Sequence, residues 1–104
     1  MRTRKKGYAY YGFKQGEDRL LKKWCKRPDF AEKALLEECA KQANIYIYKS
    51  ICRSILEGLS FEKIDGREYQ TYHKGDFYAY QRKTLALFRE ALIKRNKYPF
   101  DIDE

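Results

Sequence analysis

The sequence contains no long apolar run. Its uninterrupted apolar stretches are only a few residues long, whereas a membrane-spanning helix needs about 20. The N-terminal stretch MRTRKKGYAYYGFK also lacks the apolar segment of a signal peptide. We therefore expect a protein of the cytoplasm with no membrane partner.

The sequence is also poor in the residues that build metal and catalytic sites. Its three cysteines are widely spaced, and His73 is the only histidine, so a zinc site is not expected. We interpret Cys25, Cys39 and Cys52 as small buried hydrophobes in a reducing compartment. There is no glycine-rich phosphate loop, and no carboxylates stand at the spacing of a magnesium site. We expect no metal, no cofactor and no enzymatic activity.

Positive charge is in excess and is concentrated near the N-terminus. The net charge is +8, and residues 1–27 hold ten basic and two acidic residues, while the remaining chain holds 13 of each sign. A localised positive field attracts polyanions and speeds encounter with them. Nucleic acid is the partner that this pattern favours, although basic arms and solvated helix faces without a specific role show the same composition.

The length of 104 residues corresponds to one compact domain. With 43% apolar residues, including ten Tyr, six Phe and one Trp, the chain can fill a small core. Basic and aromatic residues are mixed in the first residues of the chain without a helical or strand period. Acidic residues dominate its last residues. The sequence predicts a basic aromatic arm at 1–14, a helical domain at 15–98 and an acidic tail at 99–104.

Helical periodicity and end signals predict an all-α fold, a bundle of four or five helices. Pro28 separates the first two helices, and Asp29 with Glu32 fits a capping box. Gly58 is placed to end the third helix. The stretch 45–48 alternates like a strand, but the helical stripe that follows favours a helix. The predicted helices cover about 17–26, 30–43, 47–58 and 76–95, with a short turn at 60–65.

The longest predicted helix, the last one, is amphipathic. Its inner face is assigned to Phe77, Tyr80, Thr84, Leu85, Leu87, Phe88, Ala91 and Leu92. Its outer, basic face is assigned to Ala79, Arg82, Lys83, Ala86, Arg89 and Ile93.

The segment ILEGLSFEKI at 55–64 resembles the helix-turn-helix of sigma-factor region four, where EGLSYEEIA leads into the first helix of the motif. KGDF at 74–77 and FREAL at 88–92 resemble the start and the end of the recognition helix, so the resemblance covers 51–94. The whole chain is similar to ArpU-type regulators of phages and prophages, through YYGFKQGEDRLL near its start and GDFYAYQRKTLALFREAL near its end. The chain departs from the family at Gln81 and Thr84. The loop before its last helix is also longer than the turn that is common in the family.

The resemblance implies a helix-turn-helix at about 51–95 and a transcriptional regulator that binds specific duplex DNA in the host cytoplasm. A recognition helix fits the major groove and reads base edges. The predicted DNA contacts are Arg82, Lys83, Lys74 and Tyr78 around the last helix, and Arg2, Arg4, Lys5 and Lys6 in the arm. RNA polymerase and a second copy of the chain are further candidate partners. A last helix buried on all sides would exclude this interpretation.

Two other functions fit the same sequence. One is a protein-interaction module that inhibits a host nucleic-acid enzyme through the tyrosine-rich surface. The other is an RNA or single-strand binder in which Tyr8, Tyr10 and Tyr11 stack on bases.

Overall fold

The computed structural model describes residues 7–64 and 73–100. Over these residues the fold is all-helical, as predicted, with no strand. Single 3₁₀ turns occur at Ala9–Tyr11 and Phe61–Lys63. The four α-helices are α1 (Glu17–Cys25), α2 (Lys33–Ala43), α3 (Tyr48–Glu57) and α4 (Lys74–Lys94).

The ends of two helices follow the local sequence signals. α1 opens with the acids Glu17 and Asp18, which suit the positive end of the helix dipole. α3 ends at Gly58, whose φ of 71° lies in the left-handed region that glycine tolerates best. The stretch 45–47 forms a turn rather than a strand, so the helical interpretation is confirmed.

The predicted capping box before α2 is wrong. α2 begins at Lys33, and Glu32 occupies the cap position without a side-chain hydrogen bond to the helix. The carboxylate of Asp29 instead pairs with Nε of Arg27 at 3.3 Å. The backbone N–H of Phe30 donates to the carbonyl of Arg27, so residues 27–30 form a turn that keeps Asp29 away from the helix start.

α4 is the central helix of the bundle. It packs against α2 along its length and also contacts α3 and the 3₁₀ turn at Phe61–Lys63. Phe77 and Phe88 are fully buried on it. Phe88 meets Trp24 and Phe30 with ring centroids 6.3 and 6.1 Å apart, so this aromatic cluster ties α1 and the turn before α2 to α4.

The predicted outer face of α4 is wrong in three places. Ala79 and Ala86 are buried, at 1% and 7% exposure, because their small side chains let neighbouring parts of the fold approach the helix. The guanidinium of Arg89 pairs with the buried carboxylate of Glu17. Between Phe77 and Leu92 only Glu90 is fully exposed.

α4 is therefore not buried on all sides. Arg82, Lys83 and Tyr78 are each half-buried. The departures Gln81 and Thr84 point inward and have hydrogen-bond partners: Gln81 donates to Ser54, and Thr84 donates to the carbonyl of Tyr80. The helix-turn-helix itself stays a prediction, because its turn falls largely on residues 65–72, outside the described residues.

The described part of the predicted arm, from Gly7, packs against the bundle. Phe13 is buried at 6% exposure, and Tyr11 lies against the core. The ring of Tyr8 meets that of Phe13 edge-on, with centroids 5.1 Å apart. The basic residues predicted at 2–6 and the acidic residues at 101–104 lie outside the described residues.

No helix within 7–64 and 73–100 combines the length and the apolar character that crossing a bilayer requires.

Candidate nucleic-acid interface

Arg82 lies beside the basic side of α1. Its positive charge acts on Lys22 of α1 and on Tyr8 of the arm. This charge contributes a lowering of the pKa of the Lys22 ammonium and of the Tyr8 phenol. For Tyr8 burial is the larger cause, and it raises the pKa of the phenol well above its ordinary value. The ammonium of Lys22 stands 5.7 Å from the centroid of the Tyr8 ring. The structure thus brings Arg82 together with residues of the N-terminal basic segment.

Lys22 is the centre of a group of positive charges. Burial is the main cause that holds the pKa of its ammonium below the ordinary value. The carboxylate of Asp18 opposes this shift. The cations that lower the pKa further are Lys26, Arg82 and Arg19. We call these four cations (Arg19, Lys22, Lys26 and Arg82) the basic face.

A polar cleft adjoins the basic face between α1, the end of α3 and α4. Its volume is about 280 Å³, and Lys22, Lys26 and Tyr78 contribute to its walls. We refer to it as the α1–α4 cleft. The amide of Gln81 donates to Oγ of Ser54 at 2.8 Å in its floor.

This floor connects α4 with the turn after α3. The hydroxyl of Ser54 donates onward to the carbonyl of Leu59 at 2.6 Å. Because each buried polar group has a partner, the hydrogen bonds fix the position of the turn at 58–60 relative to α4. This turn carries the EGLS residues of the family resemblance, and it forms one side of the cleft.

Tyr78 reaches the same turn from α4. The backbone N–H of Phe61 donates to the hydroxyl oxygen of Tyr78 at 2.8 Å. The ring of Tyr78 stands edge-on to that of Phe77, with centroids 5.4 Å apart. The phenol of Tyr78, one of the predicted DNA contacts, is therefore held at one side of the cleft.

The other predicted contacts of α4 are not gathered there. Lys83 lines a separate groove with Tyr10 and Tyr11. Lys74 pairs with Glu62 at 2.7 Å, both side chains being exposed. The hydrogen bond from Lys74 lowers the pKa of Glu62, and the same bond raises the pKa of Lys74. A phosphate at the start of α4 would compete with this acid for Lys74.

Sequence reasoning missed Arg19, Lys22 and Lys26 as site residues. These three residues contribute to the excess of positive charge in residues 1–27, but the sequence alone favours the arm as the segment that binds DNA. Nothing in the spacing of Lys22 and Arg82 along the chain shows that they lie near each other. Packing of α1 beside α4 decides it.

The arrangement suits the binding of an anion. Positive charges that repel one another in a partly desolvated site gain when an anion enters. Among the described residues, no group of three His, Cys, Asp or Glu side chains could hold a metal ion. His73 is exposed at the cap position of α4.

Comparison with models of known protein families, with curated proteins and with solved structures finds no match. The resemblance to sigma-factor region four and to ArpU-type regulators rests on the quoted residues alone.

Proposed function

We propose that this protein binds duplex DNA through the basic face and acts as a phage or prophage transcriptional regulator. The observation that carries the DNA part is the grouping of Arg19, Lys22 and Lys26 on one face of α1 and its C-terminal cap, where the charge of Arg82 also acts on Lys22. Such a group attracts the phosphate backbone, and phosphate contacts supply much of the affinity for DNA. The regulatory part is supported by the resemblance of 51–94.

The proposed mode of contact differs from that of a fully exposed recognition helix. α4 would contribute chiefly Arg82, while α1 would lie along the phosphates. Arg82 has the geometry to donate two hydrogen bonds to a guanine. Because one small domain buries a modest interface with DNA, contact with RNA polymerase or with a second copy of the chain would raise specificity.

Binding of the purified protein to random-sequence duplex and to single-stranded DNA tests this proposal. Measurements at two salt concentrations give the number of phosphate contacts, and sequencing of the bound duplex pool shows any preferred site. We expect duplex binding with a steep salt dependence and an enriched motif. Absence of duplex binding at low salt would contradict the proposal and would favour a protein partner.

Lys5 and Lys6 of the predicted arm have a distinct expected role in the same experiment. Replacing both by Gln should weaken all duplexes alike and reduce the salt slope by about 1.8, since each phosphate contact contributes about 0.9. The enriched motif should stay the same, because phosphate contacts carry no direct sequence information.

Single-strand or RNA binding is the second candidate, and the position of Tyr10 favours it. Its side chain is 61% exposed, and it lines a groove with Tyr11 and Lys83. Exposed aromatic rings stack on unpaired bases, which contributes about 1–3 kcal/mol per base. Loss of single-strand binding in Tyr10→Ala and Tyr11→Ala, with no effect of Arg82→Ala, would make this the function.

A further inference from the structure

We propose that the α1–α4 cleft is a pocket for one phosphate group, held by Lys22, Lys26 and the hydroxyl of Tyr78. The inference rests on the proposed function in one respect: it takes the phosphate to be part of a DNA backbone. The pocket would fix the register of the domain on the duplex, whereas the rest of the basic face would add only diffuse attraction.

The hydroxyl of Tyr78 can donate a hydrogen bond into the cleft. The hydroxyl oxygen accepts the N–H of Phe61 with a lone pair, so that bond does not use the hydroxyl's own hydrogen. This hydrogen can be donated to an anion in the cleft that Tyr78 lines. A phenol that donates to a phosphate oxygen forms a short, charge-assisted hydrogen bond.

The side chain of Lys26 lies beside Gly58 at the cleft. A Cβ built on Gly58 would come within 3.4 Å of Cδ and 3.5 Å of Nζ of Lys26. The lysine side chain therefore lies across the bare backbone of Gly58. Gly58 ends α3 with a φ of 71°, and its backbone places the end of the Lys26 side chain beside it at the cleft.

The lining of the cleft carries positive charge. Lys22 and Lys26 face the cleft, and its described lining contains no carboxylate. Lys22 is partly desolvated and is repelled by its basic neighbours. An anion relieves that repulsion, whereas a cation or a neutral ligand would not. The polar floor of Ser54 and Gln81 is suited to a hydrated, hydrogen-bonding ligand rather than to an apolar one.

Titration of the whole protein with inorganic phosphate tests the pocket, with chloride used to hold the ionic strength constant. Backbone amide shifts in an NMR spectrum report the site. We expect saturable shifts at Gly58, Ser60 and Tyr78 in the wild type. Lys26→Met should abolish them. Lys49→Met should leave them unchanged, because it removes the same charge from the other end of α3, about 13 Å from Gly58.

Tyr78→Phe is the second variant, and it removes only the hydroxyl. We expect its affinity for phosphate to fall about tenfold, as for a lost hydrogen bond to a charged group. Its spectrum also shows whether the fold survives the loss of the acceptor for Phe61. If that fold does not survive, the exposed Lys26→Met variant decides the question alone.

The outcomes separate the pocket from the function. Shifts that are absent in the wild type, or equal in wild type and Lys26→Met, would overturn the pocket. Duplex binding that Lys26→Met weakens no more than Arg19→Met does, and that Tyr78→Phe leaves unchanged, would also overturn it, while the proposed function would stand. Saturable phosphate shifts in a protein that binds no DNA would uphold the pocket and contradict the proposed function.

Discussion

Nε of Arg89 donates a hydrogen bond to Oε2 of Glu17 at 2.7 Å, which joins α4 to the start of α1 across 72 residues. The hydroxyl of Tyr98 donates to the same oxygen, and the backbone N–H of Lys14 donates to Oε1 at 2.8 Å. The guanidinium also lies 5.3 Å from the ring centroid of Phe13. One buried carboxylate thus binds the arm, α1, α4 and the chain after α4.

Glu17→Gln should destabilise the protein by about 3 kcal/mol, because removing one partner of a buried ion pair leaves the other charge uncompensated. Glu17 and Arg89 are only 5% and 13% exposed, so solvent screens them little. Urea unfolding measures the change. Glu90→Gln is the control, since it removes the same charge from an exposed position of α4. Equal loss in both variants would contradict the role of the pair.

The same carboxylate should make stability depend on pH. Burial alone would raise the pKa of Glu17, but hydrogen bonds from Tyr98, Arg89 and Lys14 outweigh it and hold the pKa below 4.5. A lowered folded-state pKa contributes stability above the unfolded value, and this is lost as pH falls through the folded value. The free energy of unfolding should fall more in wild type than in Glu17→Gln between about pH 5 and pH 3. Parallel pH profiles would show that Glu17 is not the titrating group.

Gly58→Ala should cost about 1 kcal/mol or more, because a side chain at a φ of 71° is strained. The new Cβ would meet Lys26 only at ordinary contact distance, so the cost comes from the backbone. Gly7→Ala is a matched control, since a Cβ there meets nothing within 4 Å. Thermal unfolding of both variants checks this, and a similar shift in their midpoints would be inconsistent with strain at Gly58.

The three cysteines should react slowly with alkylating reagents in the folded protein. Burial raises the pKa of Cys25 and Cys52 to about 12 and that of Cys39 to about 11. At pH 8 about one thiol in a thousand or fewer is then the reactive thiolate. Iodoacetamide labelling followed by mass spectrometry should modify the three thiols much faster in urea than in buffer. Rapid labelling of folded Cys52, the least buried, would contradict the expectation.

Arg82→Ala should weaken the preferred duplex by roughly tenfold and relax the preference at one base pair, as expected when a bidentate contact to a base is removed. Arg95→Ala is the control, because it removes an arginine from the same helix axis about 20 Å away. Selection from a random duplex pool with each variant gives the readout. An unchanged motif and affinity for Arg82→Ala would exclude Arg82 from the interface.

Much of the secondary structure could be predicted because its signals are local. Acids at the start of α1, Gly58 after α3 and the apolar spacing in 77–92 each act within a few residues. The capping box at Asp29 failed because a neighbouring partner, Arg27, competes for the carboxylate. Such competition depends on the turn geometry, which the pattern of residue types does not specify.

The candidate site was predicted only in part. Tyr78 and Arg82 were selected because they fall on the polar side of a helical wheel, and both lie at the edge of the interior in the structure. A wheel does not show how many neighbours surround a helix, so Ala79 and Ala86 were assigned outward. Small residues satisfy either environment, and only the partners of α4 decide which one applies.

By itself the sequence determined where the helices lie, that the chain carries a localised positive charge, and that it has the apolar residues for a core. These properties follow from local backbone preferences and from counting charges. Only the tertiary structure decided that Arg82 approaches Lys22, that Arg89 neutralises Glu17, and that Tyr78 faces a cleft with Lys26 in its walls. Contacts between residues far apart in the chain depend on how the helices pack, because packing places their side chains in one space.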